Sequence, residues 1–430
     1  MDPPPTDPVT VEPSYSIVEP PASKKSGIWF RALRLSLAVA LLAYVGSVLP
    51  WADHLDVDGL RWQGEIVGDW KSQRIQFRVE EMNDLGDTPL SVAGVWLCAQ
   101  ETGTVFFVER DHLEVPTVGG IRSIEGTLDW QPGLPRAVSE LEFKGLLPAF
   151  GMLLVAALAA VTRWWRLLVI SECYMSWTRA FRITFYGLFV NLIVPGLAGA
   201  DVLRSVIVVR DHPDKKTIAL LTVFVDRLIG FVAMVLLSLI AIFSIGERTA
   251  ALRLPVAGIL VALIVALTIQ AHPRARKFLA FERRLKRLPG GEMLARLDGA
   301  LAHFAGRPVE MLTVLALSLL NHLAASGTVY LLSSALGGTL DFIDCVCVLT
   351  ITNTLAAMPI TPGGWGIGEA AYTVLFPLLG GTATVGVAVS VLFRVLMALL
   401  GVLGGAFLFL PGGAQARAEF QEFRASREST

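Results

Sequence analysis

The sequence predicts an all-α polytopic membrane protein with inverted repeats and two re-entrant broken helices, plus a small extracytoplasmic β domain. Three observations predict this fold class. Hydrophobic residues make up 53% of the 430 residues, and the mean hydropathy is positive; globular proteins have about 45–50% apolar residues. Two apolar stretches are each interrupted by proline and glycine. One segment near the N-terminus is instead acidic and alternates polar with apolar residues.

The N-terminal region is predicted to be a tail followed by a membrane anchor. Residues 1–28 are rich in proline, serine, threonine and acids, which predicts a disordered cytoplasmic tail. Residues 29–50 are predicted to form a transmembrane anchor. The basic residues Lys24, Lys25, Arg31 and Arg34 before its apolar run favour a cytoplasmic N-terminus. A cleaved signal peptide is the alternative, because the apolar run is short.

Residues 51–145 are predicted to form one β domain. Alternating runs at 74–79, 105–108 and 140–143 are separated by Gly, Pro, Asp and Asn, a pattern typical of short antiparallel strands. The segment contains 17 acidic and 8 basic residues. Because cytoplasmic loops carry an excess of Lys and Arg, this balance predicts an extracytoplasmic location.

Residues 146–410 are predicted to form a transmembrane domain, followed by a cytoplasmic tail at 411–430. Further full spans are predicted at 146–161, 217–245, 255–271, 311–336 and 382–410, which makes six with the anchor. If both broken segments also cross completely, the count becomes eight. Residues 272–310 carry nine basic and four acidic residues, as a cytoplasmic loop should. Arg163, Trp164, Trp165 and Arg166 are predicted to anchor the second span at the membrane interface.

The most unusual stretch is residues 358–369, where proline and glycine interrupt an apolar segment. Such residues remove backbone donors or permit backbone angles that other residues avoid. They include Pro362, Gly363, Gly364, Gly366 and Gly368. Irregular backbone at membrane depth survives only where it is buried in protein or lines a wet cavity. Glu369 follows directly, and an intramembrane carboxylate predicts a functional site.

A second break at residues 195–201 resembles the first. It contains Pro195, Gly196 and Gly199 and ends at the acid Asp201. Arg227 follows Asp201 by 26 residues, and Arg394 follows Glu369 by 25. Each unit therefore consists of a span, a broken segment and a span, over 146–245 and 311–410. One span separates the units, which inverts the second, and many transporters build their substrate site between inverted broken helices.

The polar residues of these units allow two interpretations. A half-helix N-terminus carries partial positive charge that favours an anion such as a lipid phosphate. Arg227 and Arg394 are expected either to bind that phosphate or to pair with nearby acids, since charges inside membranes usually have partners. Asn321 and His322 are expected to form interhelical hydrogen bonds, in preference to a proton relay.

Three segments resemble the signature segments of the lysylphosphatidylglycerol synthase transmembrane-region family, whose members are also called flippase-like domain proteins. They are residues 191–204, the pair Asp226–Arg227 and residues 359–369. The resemblance covers residues 146–410 and implies a plasma-membrane protein that translocates a lipid between leaflets, or helps to do so. The synthases carry a soluble aminoacyltransferase domain after the membrane region, and this chain does not, so we expect no aminoacyl transfer by this chain alone. The family pattern does not require the β domain.

The candidate lipid-binding and transport residues come from both units. They are Asn191, Pro195, Gly196, Gly199, Asp201, Arg204, Asp226, Arg227, Asn353, Pro362, Gly363, Gly364, Gly366, Gly368, Glu369 and Arg394. The two asparagines fit the repeat poorly, because Asn191 lies four residues before its Pro-Gly pair and Asn353 lies nine. No catalytic residue, cofactor or metal ligand is predicted, since the four cysteines form no CxxC motif and no GxxxxGK[ST] motif is present.

The expected function is that of a transporter of the flippase-like type, not an enzyme, in the plasma (inner) membrane with both termini cytoplasmic. The expected partners are membrane lipids with an anionic headgroup and an extracytoplasmic partner that binds residues 51–145; nucleic acid is not expected. Two alternatives stay open. One is a membrane-embedded enzyme or accessory subunit in envelope lipid or glycolipid synthesis, and the other is an interaction scaffold that acts through the β domain.

Overall fold

The computed structural model describes an N-terminal sheet and a helical membrane domain. The described residues are 51–57, 60–70, 72–82, 103, 105–109, 112–117, 120–125, 128–139, 143–193, 199–271, 304, 306–357 and 366–406, with six positions between 36 and 47. The predicted tails at 1–28 and 411–430 lie outside this part of the chain. So do most of the predicted anchor and the basic loop.

Seven described strands form one antiparallel sheet in the order β6-β5-β4-β3-β2-β1-β7. They are β1 (Asp53–Val57), β2 (Leu60–Val67), β3 (Arg74–Met82), β4 (Val105–Glu109), β5 (His112–Thr117), β6 (Gly120–Glu125) and β7 (Leu128–Gln131). In β3, the buried Ile75, Phe77 and Val79 alternate with more exposed polar residues. Their core includes Trp62 and Phe106. The predicted strands at 74–79 and 105–108 are confirmed.

The predicted strand at 140–143 is wrong where the structure describes it. A short helix, α1 (Leu134–Ser139), precedes this segment, and Phe143 begins the first long helix. Residues 140–142 lie outside the described residues. Two apolar residues with period two are a weak signal, and the long apolar run that follows Phe143 favours helix continuation over strand pairing.

Nine further helices are described in the rest of the chain. They are α2 (Phe143–Ile170), α3 (Trp177–Ile193), α4 (Gly199–Asp211), α5 (Lys216–Ile245), α6 (Ala250–Ala271), α7 (Pro308–Ala335), α8 (Phe342–Ala356), α9 (Ile367–Leu378) and α10 (Ala383–Ala406). Four described stretches are long and apolar enough to cross a membrane: 144–170, 213–265, 308–335 and 383–406. The second of these contains both α5 and most of α6, joined by a 3₁₀ turn at Gly246–Thr249.

The same order of helix lengths occurs twice. The first unit is α2 (long), α3 and α4 (short) and α5 (long), and the second is α7 (long), α8 and α9 (short) and α10 (long), with α6 between them. The two short helices of each unit are separated in the sequence by residues 194–198 in the first unit and 357–366 in the second. We call α3 with α4 the first helix pair and α8 with α9 the second.

The two units contact each other reciprocally. α2 packs along α7, the equivalent helix of the second unit. α3 of the first unit packs against α10 of the second, and the equivalent contact joins α8 of the second unit to α5 of the first. The α2–α7 packing is antiparallel, because Thr328 donates to the Ala149 carbonyl at 3.2 Å while Asn321 donates to the Ala156 carbonyl at 2.7 Å. The first helix pair follows the C-terminal end of α2 and the second follows that of α7, so the two pairs begin at opposite ends of this packed couple.

The sheet is attached to the membrane domain through α1. The Asp53 carboxylate accepts hydrogen bonds at 2.7 Å from the Gly133 amide and from the Arg136 guanidinium, which joins α1 to β1. On its other side, α1 contacts α10, and Leu134 and Ala370 both pack against Val387. Val387 therefore contacts both α1 and Ala370, the residue that follows Glu369.

Candidate functional site

The first candidate site is an ion pair between α4 and α5. Asp201 is the third residue of α4, and Arg227 donates to its two carboxylate oxygens from Nε and Nη2, both at 2.7 Å. This fork geometry fixes both side chains. The Arg227 side chain is 61% exposed and that of Asp201 is 18% exposed. The pair therefore lies on an open face of the helices.

The second candidate site is the equivalent pair between α9 and α10. Glu369 is the third residue of α9, and its Oε1 lies 2.6 Å from Nε of Arg394. Its Oε2 accepts the Gly366 amide at 2.8 Å, which caps α9, and Nη2 of Arg394 lies 3.3 Å away. Here the side chains are only 5% and 28% exposed. The same chemistry is thus buried in the second unit.

The two pairs occupy matching positions in their helices. Arg227 is the twelfth residue of α5, counted from Lys216, and Arg394 is the twelfth of α10, counted from Ala383. Both acids are third in their helices, where a carboxylate interacts favourably with the helix dipole and the free backbone amides. Of the two interpretations that the sequence leaves open, the structure shows the paired arrangement.

Glycines allow the close approaches at these sites. A Cβ atom at Gly368 would lie 2.8 Å from Nη2 of Arg394, so the arginine passes over the bare backbone of α9. Gly366 has a φ of 82°, in the left-handed region that favours glycine, where it precedes the helix. A Cβ atom at Gly199 would lie 2.9 Å from a methyl of Val190. A side chain at Gly368 or Gly199 would require Arg394 or Val190 to shift.

Asn191 and Asn353 occupy more similar positions in their helices than their distances from the Pro-Gly pairs suggest. Asn191 lies two residues before the end of α3, and its Oδ1 accepts the Ala200 amide at 2.9 Å, which caps α4. Asn353 lies three residues before the end of α8. Their different distances from Pro-Gly arise because the second break is longer. Pro195, Gly196, Pro362, Gly363 and Gly364 lie outside the described residues.

A buried cluster beside the first pair joins five helices. Arg163 of α2 donates to Asp226 of α5 from Nε at 2.7 Å and from Nη2 at 3.0 Å, and its Nη1 donates to Ser318 of α7 at 2.8 Å. Arg204 of α4 donates to Thr184 of α3 at 3.1 Å. Its guanidinium carbon lies 4.9 Å from the Trp164 ring centre.

This cluster contains more positive than negative charge. Arg204 lies 3.5 Å from the Asp226 carboxylate that Arg163 already holds, so two guanidinium groups share one carboxylate. All three side chains are buried. The prediction of an anchor at the membrane interface is wrong for Arg163 and Trp164, because both lie in the protein interior, whereas Trp165 and Arg166 are half-buried. The Arg-Trp-Trp-Arg pattern is common at interfaces, and only the neighbouring helices distinguish the two cases.

Two polar residues of α7 join helices. Nε2 of His322 donates to the Gly230 carbonyl of α5 at 3.0 Å, and Asn321 reaches α2. The predicted interhelical hydrogen bonds are confirmed. In the part of the chain that the structure describes, no group of three His, Cys, Asp or Glu residues is placed to hold a metal ion.

The end of the first helix pair next to Ile170 carries several ion pairs. Lys215 lies 2.8 Å from Glu172. Arg179 of α3 lies 2.7 Å from Asp211 at the end of α4. This end of the helices is therefore polar, whereas the helix segments that continue from it are apolar.

Comparison with known proteins agrees with this architecture. Residues 127–405 match the family described as "Lysylphosphatidylglycerol synthase TM region". The chain is also 21% identical over 310 residues to the "UPF0104 membrane protein PH1989" of Pyrococcus horikoshii, which covers 65% of this chain and 92% of that protein. The match begins earlier than the resemblance over 146–410 suggests and takes in α1. The chain therefore belongs to the lysylphosphatidylglycerol synthase transmembrane-region family, and it is an integral membrane protein.

Proposed function

We propose that this chain moves an anionic lipid between the leaflets of the cell membrane, or helps to move it, as a transporter and not as an enzyme. One observation carries the proposal. The two units place equivalent carboxylate–arginine pairs, Asp201–Arg227 and Glu369–Arg394, at the N-termini of equivalent short helices, and one pair is exposed while the other is buried.

The proposal includes an inverted-repeat relationship between the units. Its support is the reciprocal packing: α2 with α7, α3 with α10 and α8 with α5. Each contact has its counterpart when the units are exchanged, as a two-fold axis would require. Antiparallel α2 and α7 would make that axis lie in the membrane plane, and the helix pairs would then re-enter from opposite faces, as in many transporters.

Arg227 is the group proposed to meet the lipid phosphate. It lies roughly 17 Å from the start of α5, near the middle of a hydrocarbon core of about 30 Å. Exposed neighbours such as Val202 and Phe224 are apolar. A guanidinium at this depth needs a partner in addition to Asp201, because burial of charge in hydrocarbon is costly. A phosphate accepts two parallel hydrogen bonds from a guanidinium and meets this need.

The buried cluster favours an anion over a cation or a neutral group. Arg163 and Arg204 exceed Asp226 by one positive charge, and Asp226 directly precedes Arg227 in the sequence. In a surrounding of low dielectric constant, this excess raises the affinity for a negative headgroup. The proposed route takes the headgroup between the two pairs across a shared polar centre, while the acyl chains remain in the bilayer.

The proposed orientation places both termini in the cytoplasm of a cell-membrane protein. Its support is the charge of the segments, with 17 acidic against 8 basic residues at 51–145 and nine basic against four acidic at 272–310.

The proposal is tested by reconstitution of the full chain into liposomes that contain headgroup-labelled phosphatidylglycerol or phosphatidylcholine. Chemical quenching of the outer leaflet measures transfer. We expect protein-dependent transfer of phosphatidylglycerol at a higher rate than of phosphatidylcholine. Equal rates with and without protein would refute a translocase that acts alone, and equal rates for the two lipids would refute the anionic substrate.

A further inference from the structure

A cavity lies at the polar end of the first helix pair, away from the two candidate sites. It has a volume of about 390 Å³ and is lined by Tyr174, Met175, Ser176, Arg179, Asp211 and His212. A volume of this order is within the range of small-molecule sites. Residues 174–176, which form one wall, come shortly after α2, a helix long and apolar enough to span the membrane. A spanning α2 would place the cavity at the depth of lipid headgroups.

The donors of the cavity suit a phosphate. Arg179 presents a guanidinium, and the Ser176 and Tyr174 hydroxyl groups are further donors. Guanidinium groups recognise phosphate through paired hydrogen bonds. Asp211 lies 2.7 Å from Arg179, however, and 3.7 Å from Arg210, which is outside the lining; the lining itself contains the charged pair of Arg179 and Asp211. A purely anionic ligand would meet the Asp211 carboxylate, which disfavours it.

The acceptors of the cavity suit a primary ammonium group. Asp211 contributes a carboxylate. His212 contributes a second acceptor, because its Nδ1 lies 3.1 Å from the Val208 carbonyl and must carry the proton of that hydrogen bond. In the neutral ring the other nitrogen, Nε2, then accepts. A primary ammonium has three N–H donors, whereas a quaternary ammonium has none and is usually held by several aromatic rings. Tyr174 is the one aromatic residue in this lining.

We infer that this cavity binds a phosphoethanolamine headgroup, with the phosphate on Arg179 and Ser176 and the ammonium between Asp211 and His212. The occupant is a zwitterionic phospholipid of the adjoining leaflet. This site is separate from the Asp201–Arg227 and Glu369–Arg394 pairs, and binding here does not require that the chain translocate lipid.

The test is equilibrium binding of dimyristoyl lipids to the purified full chain in detergent, followed by native mass spectrometry. Phosphatidylethanolamine is expected to bind about tenfold more tightly than phosphatidylcholine or phosphatidylglycerol, the difference expected from one charge-assisted hydrogen bond. Soluble O-phosphoethanolamine is expected to displace the lipid and inorganic phosphate is not. Equal affinity for the three lipids, or displacement by phosphate alone, would overturn the inference.

Variants locate the site. Asp211→Asn is expected to reduce the preference for phosphatidylethanolamine over phosphatidylcholine to about twofold or less, because it removes the charged acceptor. Glu172→Gln is the matched control: it removes a carboxylate of another ion pair at the same end of the helices, and the preference should persist. If Asp211→Asn keeps the full preference, the cavity is not the site. The displacement experiment uses the unaltered chain, so it gives its answer even if Asp211→Asn fails to fold.

Discussion

An arginine at mid-membrane depth has to be neutralised, and the two units do this to different extents. Arg394 is mostly covered and its partner Glu369 is buried, so that pair resembles a closed contact of the protein interior. Arg227 is mostly exposed although its fork geometry with Asp201 is good. In the proposed inverted-repeat transporter, this difference is expected when one half is open and the other closed.

Arg227→Ala should abolish translocation while the protein still folds. The proposed phosphate contact is lost entirely, and some stability is lost as well because Asp201 no longer has its partner. The liposome transfer assay and the thermal unfolding midpoint in detergent measure the two effects. Arg253→Ala, which breaks the exposed pair with Glu247, is the control and should transfer lipid normally. Normal transfer by Arg227→Ala would exclude this residue from the site.

Glu369→Gln should also abolish translocation, and the protein should still fold. The amide keeps the size of the side chain and one oxygen for the Gly366 amide, but it leaves the Arg394 charge without its carboxylate. We expect transfer to fall at least about tenfold, the equivalent of a lost hydrogen bond to a charged group. Glu247→Gln, at an exposed carboxylate, is the control. Wild-type transfer by Glu369→Gln would rule out a role for the buried pair.

Arg163→Gln should destabilise the protein more than any change at the exposed pair. It leaves Asp226 with only the weaker contact to Arg204, and loss of one partner from a buried pair costs about 3–5 kcal/mol. Arg166→Gln, three residues further along α2 at a half-buried position, should change stability much less. Thermal unfolding of both variants in detergent tests this. Equal midpoints would mean that the cluster contributes nothing to the fold.

At the scale of elements, glycines decide how closely helices approach. Gly401 and Gly404 of α10 face the backbone carbonyls of Leu188 and Phe185 in α3, and a Cβ atom at Gly401 would lie 3.1 Å from the Leu188 oxygen. At Gly404 it would collide with the Phe185 oxygen. Close approach through small residues is a usual basis of helix packing in membranes. It fixes the first helix pair against the last helix of the other unit.

Gly404→Val should separate α3 from α10 and lower stability by about 1–3 kcal/mol, the usual cost of overpacking. Lipid transfer should fall as well, because α3 carries the Asn191 cap of α4. Gly258→Val in α6 is the matched control, since nothing lies within 4 Å of a Cβ atom there. Thermal unfolding and transfer are measured on both proteins. Equal behaviour would show that the α3–α10 contact is loose.

The sequence predicts which helices and strands form better than it predicts which of them contact each other. The long helices, the strands at 74–79 and 105–108, and the spacing that pairs Asp201 with Arg227 and Glu369 with Arg394 all follow from local pattern and charge. The buried position of Arg163 does not, because hydropathy says how deep a residue lies but not which helices surround it. The strand expected at 140–143 failed for a related reason, since a two-residue alternation cannot outweigh the helix that begins at Phe143.

At the scale of the whole molecule, the proposed orientation predicts which side of the membrane each end of the first unit faces. Two single-cysteine variants, Tyr174→Cys and Glu247→Cys, are made in a chain whose four native cysteines are replaced by serine. A membrane-impermeant maleimide should label the two positions from opposite sides of the membrane. Residue 247 should react in intact cells, and residue 174 only after permeabilisation, because acidic segments face outward and basic ones inward. Labelling of both from one side would contradict the inverted arrangement.

The attachment of the sheet has a further consequence. Asp53 binds α1 to β1, and Leu134 of α1 packs with Ala370 against Val387, next to Glu369. The sheet and the start of α9 therefore share one set of contacts. A shift of α9 that displaces Ala370 would uncover one side of Val387, while Leu134 of α1 covers the other. Val387 of α10 thus connects the sheet to the helix end that carries the buried carboxylate.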